Sequence, residues 1–98
     1  MRIFTEKTLR DFSERYPASR TALQEWSKIV KKAQWSCFAD IRATFNSVDA
    51  VGNQRYVFNI HGNDFRLVVV VKFIMGAVYI RFVGTHAEYD RIRDISNI

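Results

Sequence analysis

The stretch GTHAEYDRI, residues 84–92, places His86, Glu88, Tyr89 and Asp90 within five positions. Imidazole, carboxylate and phenol are the groups that move protons near neutral pH, and His with Asp also ligates metals. The four do not read as one cluster. Thr85 and Glu88 match a capping box, in which the Thr hydroxyl accepts the N–H three residues on and the Glu carboxylate reaches back to the cap's own N–H. Glu88 is therefore expected to start a helix and is a poor general base. With Thr85 as the cap, His86, Tyr89 and Asp90 fall at i, i+3 and i+4 and share a face. Tyr89 opens an apolar stripe with Ile92 and Ile95, so its ring is expected to pack while its hydroxyl stays free for chemistry. Asp90 is expected to be solvated or paired with Arg93. His86 lies in the first helical turn, where backbone N–H groups favour an anion. A phosphate arriving there would restore the imidazolium and suit a proton-donating histidine.

Two other chemistries are weaker. A metal site from His61, His86 and Asp90 has no close ligand motif, and Arg66 and Arg81 would repel a dication. Cys37 reads as a small hydrophobe in a short helix rather than a nucleophile. No metal and no cofactor are expected.

The elements that must position these groups follow from periodicity. MRIF reads as a short edge strand, with Thr5 or Thr8 capping the helix after it. Leu9, Phe12 and Tyr16 repeat at helical spacing up to Pro17, and Ser19 opens a second helix with the stripe Leu23, Trp26, Ile29, Val30 and Ala33. Phe38, Ile41 and Phe45 allow a short helix, and SVDAVGN reads as a loop. From Arg55 the period becomes two, giving the strands RYVFNIH, FRLVVVVKFI and AVYIRFV.

If Gly62-Asn63 and Met75-Gly76 are tight hairpin tips, Asn59 faces Arg66, Lys72 faces Tyr79, Val70 faces Arg81 and Arg66 faces Thr85. One sheet face then carries Phe58, Ile60, Phe65, Leu67, Val69, Val71, Phe73, Val78, Ile80 and Phe82, a core face for the two helices. The other, expected to be open, carries Asn59, His61, Arg66, Lys72, Tyr79 and Arg81 around Val68 and Val70. Arg66 beside His86 would make an oxyanion-binding constellation. Arg55, Lys72 and Arg81 around Tyr79 suit a single-stranded RNA backbone and its bases.

Composition agrees. Ninety-eight residues bound the chain to one small core, and a single cysteine excludes an internal disulfide, which fits a reducing compartment. Charges every three or four residues at the N-terminus exclude a signal peptide, and no apolar run reaches the ~20 residues that span a bilayer. A soluble, cytoplasmic protein is expected. Fifteen Lys and Arg against ten Asp and Glu give a net charge of +5 and a pI near 9.7, which predicts attraction to polyanions.

VFNIHGNDFRLVVVV followed by VYIRFVGTHAEYDRI resembles the HigB toxin family, a branch of the RelE-like messenger-RNA endonucleases, over about residues 56 to 92. The resemblance implies an α+β RelE-like fold: two N-terminal helices on one face of a largely antiparallel sheet, made of a short N-terminal strand plus a three-stranded meander, and a short C-terminal helix. It implies a single toxin domain over residues 1–98 that cleaves messenger RNA on the translating ribosome. A helix-turn-helix antitoxin of HigA type would hold the toxin inactive, and the complex would bind operator DNA through the antitoxin. The positions matching the family's functional residues are Arg66, Arg81, His86 and Tyr89. The chain departs from the family pattern at the first hairpin, where His61 precedes the Gly-Asn turn and Asp64 follows it in place of a basic residue, leaving His61 as the local substitute for a lysine. Arg66, His86 and Tyr89 are the expected catalytic residues, with Arg55, Asn59, His61, Lys72, Tyr79 and Arg81 on the RNA. A noncatalytic RNA-binding or translation-regulating module using the same basic face is the alternative.

Overall fold

A computed structural model describes residues 1–98. In chain order the elements are β1 (Arg2–Phe4), α1 (Lys7–Arg15), a 3-10 turn (Pro17–Ser19), α2 (Arg20–Lys32), α3 (Phe38–Thr44), β2 (Val48–Gly52), β3 (Arg55–Ile60), β4 (Phe65–Lys72), β5 (Ala77–Thr85), α4 (His86–Asp90) and a second 3-10 turn (Ile95–Asn97). The five strands form one sheet in the order β1-β5-β4-β3-β2. The β1–β5 pair is parallel and the others are antiparallel. The α+β class, the two N-terminal helices and the short helix at the end of β5 are as expected.

The core lies between the helices and one sheet face. Leu9 and Phe12 of α1, Leu23, Trp26 and Val30 of α2 and Ile41 of α3 pack on Phe58, Ile60, Phe65, Leu67, Val69, Val71, Val78 and Ile80. Phe12 meets Phe65 edge to face at 5.5 Å, and Trp26 meets Phe58 the same way at 5.5 Å. These contacts fix the helices on the sheet through β3 and the central strand β4.

The helix starts differ from the sequence reading. Neither Thr5 nor Thr8 caps α1. Thr5 is in the left-handed region at φ 70°, and its carbonyl, not its hydroxyl, accepts the Thr8 N–H. Glu6 is the cap residue without a side-chain bond, and its carboxylate pairs with Lys31 of α2 at 2.9 Å. Ser19 also makes no cap; its hydroxyl donates to the Tyr16 carbonyl inside the 3-10 turn.

SVDAVGN is not simply a loop. Val48–Gly52 forms the edge strand β2, with Val48 opposite Phe58 and Asp49 opposite Val57. Only Val48 is buried along it, so no alternation marks it in the sequence; the pairing with β3 holds it extended.

The first hairpin has the expected register, with Asn59 opposite Arg66. The second does not. Lys72 faces Ala77 and Val70 faces Tyr79, because the connection is the four-residue turn Phe73–Gly76, closed by the Gly76 N–H on the Phe73 carbonyl, rather than a two-residue tip. Further along, Val69 faces Ile80 while Val68 faces Phe82, so Arg81 is the extra residue of a β-bulge. The bulge reverses the alternation beyond it. Val83, not Phe82, packs against the core, and Arg66 faces Gly84, not Thr85.

The second sheet face is not open along its length. Val57, Val68 and Val70 lie on it and are 4%, 0% and 7% exposed. The chain after α4 returns across this face, held where Asn53 donates to the Ser96 carbonyl at 2.9 Å and where Arg55 and Arg81 both reach the Ile98 main-chain oxygen. Such long-range docking leaves no periodic signature in residues 91–98.

Candidate active site

Two elements of the fold's α4 end bring the ionisable groups together. The first is the turn between β3 and β4, where His61 adopts φ 53° and Gly62 adopts φ 65°. These left-handed conformations fold the turn back on itself, and the His61 Nδ1 meets the Asp64 carboxylate at 2.8 Å. The second is α4. Its capping box is complete: the Glu88 N–H donates to the Thr85 hydroxyl at 3.1 Å, and the Thr85 N–H donates to the Glu88 carboxylate at 2.8 Å. That bond from the Thr85 backbone holds the Glu88 carboxyl below the usual carboxylate range. One turn on, the His86 Nδ1 meets Asp90 at 2.8 Å.

A main-chain bond joins the two elements, as the His86 N–H donates to the Asp64 carbonyl at 3.1 Å. The result is a pair of His–Asp dyads on adjoining segments. In each, the carboxylate engages Nδ1 and leaves Nε2 as the outward nitrogen. All four side chains are about half or more exposed, at 51% and 63% for His61 and Asp64 and 49% and 58% for His86 and Asp90.

Arg66 and Tyr89 stand beside them. The Arg66 guanidinium carbon lies 5.9 Å from the centre of the Tyr89 ring, and the fork donates to the Asn63 carbonyl at 3.1 Å. Arg66 is thereby tied to the His61 turn and to α4 at once. Burial pushes the Tyr89 hydroxyl above its ordinary pKa; Asp49 and Asp90 add to this and Arg66 opposes it. The phenol is therefore protonated at neutral pH.

Three sequence-based expectations change here. Asp90 stays solvent-exposed as expected but pairs with His86, not with Arg93, because i, i+4 on one helical turn brings carboxylate and imidazole within reach. The start of α4 is also not a free anion site. Its first N–H is spent on Asp64, the Glu88 N–H on Thr85, and a helix of five residues has little dipole. His61, placed by strand alternation beside Arg66, instead leaves the strand at the turn, and its ring lies 6.3 Å from Phe65 of the core face.

The remaining expected RNA contacts divide between two places. Asn59 lies across from Arg66 and donates to the Ser47 hydroxyl. Arg55, Lys72, Tyr79 and Arg81 sit at the far end of the sheet, beyond the apolar row Phe82, Val68 and Val57. There Lys72 donates to Gln54, Tyr79 stacks on Phe4 at 4.8 Å, and Arg55 and Arg81 hold Ile98. Sequence reasoning missed Asp49, which bears on Tyr89 from the unrecognised strand β2. It also missed the roles of Asp64 and Asp90, although spacings of three and four from a histidine are a usable signal. No three His, Cys, Asp or Glu side chains stand close enough together to hold a metal ion, each histidine being turned to its own aspartate.

Comparison with known proteins shows the family to which the chain belongs. Residues 19–92 match the model of the HigB toxin family, described as the RelE-like toxic component of a toxin–antitoxin system. The chain is 37% identical over 92 residues to the messenger-RNA interferase toxin HigB of Escherichia coli K12, covering 92% of this chain and 88% of that protein. The messenger-RNA interferase HigB of Shigella flexneri matches with the same identity and coverage. A messenger-RNA interferase HigB of Escherichia coli strain CFT073 is 24% identical over 94 residues, or 94% of this chain and 91% of that protein. The chain belongs to the HigB family of RelE-like toxins, and an antitoxin is the partner that such a system supplies.

Proposed function

We propose that residues 1–98 form a single RelE-like toxin domain that cuts messenger RNA on the ribosome and so stops translation. The observation that carries the chemistry is the pair of His–Asp dyads, joined through the His86 N–H and flanked by Arg66 and Tyr89. An RNA 2′-OH attacks the adjacent phosphorus in line. The O2′–P bond forms, the P–O5′ bond breaks, and the products are a 2′,3′-cyclic phosphate and a free 5′-OH.

The Nε2 of His61 takes the 2′-OH proton and the Nε2 of His86 gives one to the departing O5′, with Asp64 and Asp90 fixing each imidazole through Nδ1. Arg66 neutralises charge on the non-bridging oxygens, and the protonated Tyr89 hydroxyl donates to one of them. A cation and two proton carriers supply what this transesterification needs, so no metal is required. Asn59, with Arg55, Lys72, Tyr79 and Arg81 further along the sheet, tracks the strand on either side. The partner is a helix-turn-helix antitoxin of HigA type, through which the complex binds operator DNA, and the toxin acts in the cytoplasm.

The test is the chemistry of the cut ends. Messenger RNA cleaved by the purified toxin on ribosomes, with the toxin stripped of metal beforehand, is expected to carry 2′,3′-cyclic phosphate and 5′-OH ends. Ends of 3′-OH and 5′-phosphate type would reject the 2′-OH mechanism, and RNA bound but never cut would favour a noncatalytic RNA-binding module.

A further inference from the structure

The far end of the sheet holds two arginines on strands that flank β4. Arg55 donates to the Ile98 main-chain oxygen through Nε at 3.1 Å and Nη2 at 2.7 Å, and Arg81 reaches the same oxygen through Nε at 3.1 Å. Val70 lies between them, paired with Arg55 on one side and with Tyr79 of β5 on the other. Arg81 is on this face because it shares the alternation of Tyr79, two residues before it, with core-facing Ile80 between them. Two guanidinium forks converging on one oxygen is the arrangement that phosphate oxygens take in arginine sites.

The segment that supplies the oxygen is lightly attached. Its 3-10 turn is held from within by the Asp94 carboxylate, which accepts from the Ser96 N–H at 3.2 Å and the Ser96 hydroxyl at 2.6 Å. Beyond the two arginines, its hydrogen bonds to the rest of the fold come from Asn53, which donates to the Ser96 carbonyl at 2.9 Å and to the Asn97 side-chain oxygen at 3.4 Å. The family match ends at residue 92, so this strap lies outside what the family model describes.

We propose that Arg55 and Arg81 form a second phosphate-binding site for the RNA strand, and that residues 93–98 act as a strap that occupies it until RNA displaces them. The proposal rests on the RNA-cleaving reading and adds to it a distinct subsite and its gate. Lifting the strap frees both guanidiniums together. The strap thus lowers the toxin's grip on free RNA without touching the dyads at the other end of the sheet.

Binding of a single-stranded RNA oligonucleotide, blocked against cutting by 2′-O-methylation, tests this. The double variant Asp94→Ala/Asn53→Gly removes the turn's internal bonds and the Asn53 tie; both positions are exposed, and glycine accepts the φ of 51° at residue 53. It is expected to bind about three- to tenfold more tightly than the native chain, the factor by which the open fraction rises. The variant Arg55→Gln/Arg81→Gln also loses the strap's anchors but is expected to bind more weakly than the native chain, with a salt dependence shallower by about 0.7 per arginine removed. In the native protein, amide exchange at Ser96 and Asn97 is expected to speed up when the oligonucleotide is added. Unchanged or weaker binding by the loosened variant, tighter binding by the glutamine variant, or slower exchange with RNA would each overturn the proposal. Loosening without effect in a toxin that still cuts messenger RNA rejects the strap alone, whereas no binding and no cutting by either protein rejects both readings.

Discussion

Glu88 illustrates how one residue in a crowded motif is assigned by its partners. Its carboxylate is held on the Thr85 N–H, which lowers its pKa, so it serves helix α4 and not proton transfer. A carboxylate depressed in the folded state contributes stability that is full above its ordinary pKa and disappears as pH falls through the lowered one. Glu88→Gln keeps a bonding oxygen but has no charge to lose. Melting temperature followed from neutral to acid pH is therefore expected to show the variant below the native protein at neutral pH, with the gap closing in the acid range. Asp40 and Asp94, whose pKa values are also lowered, contribute equally to both curves. Parallel curves would show that the capping contact carries no charge-dependent stability. The capping box was legible in the sequence because it depends on a three-residue spacing. The dyads were not, since His61–Asp64 needs two left-handed residues in the turn and His86–Asp90 competes with an equally plausible Arg93.

At the scale of elements, the β-bulge at Arg81 decides which residues of β5 look toward the site. It turns Phe82 onto the second face, where its ring folds over Gly84. A Cβ at residue 84 would stand 2.5 Å from the Phe82 Cζ and 3.0 Å from the Glu88 carboxylate oxygen. Gly84→Ala is expected to destabilise the protein by about 1–3 kcal/mol through overpacking. Thermal melting would read this as a drop of several degrees, and Phe82→Leu in the same chain is expected to recover part of it. An unchanged melting temperature would mean that the ring moves aside freely and that the Phe82–Gly84 contact does not fix the entry to α4. The strands themselves followed from alternation, and the first hairpin's register from its turn. The second register failed because a four-residue turn and a bulge each shift the pairing, and neither alters the hydrophobic pattern that reveals a strand. Strand β2 stayed hidden because its extended form is imposed by β3 rather than by its own residues.

Across the whole molecule, the second sheet face carries polar groups at two separated places, the dyads with Arg66 at the α4 end and the strapped arginines at the other. The apolar row between them makes the face a track rather than a single pocket, which suits a strand held at several phosphates. The family and the overall fold were readable from two linked motifs, but the closing of the far end was not, because it joins Asn53 and Arg55 to residues 43 positions on and Arg81 to one 17 positions on. The central claim is that His61 and His86 exchange protons with a phosphate held by Arg66, and single-turnover cleavage of ribosome-bound messenger RNA tests it most directly. His61→Ala, His86→Ala and Arg66→Ala are each expected to slow the chemical step by about a hundredfold or more, with melting temperatures near that of the native chain. Rates within about tenfold of native for the His86 and Arg66 variants would contradict the assignment.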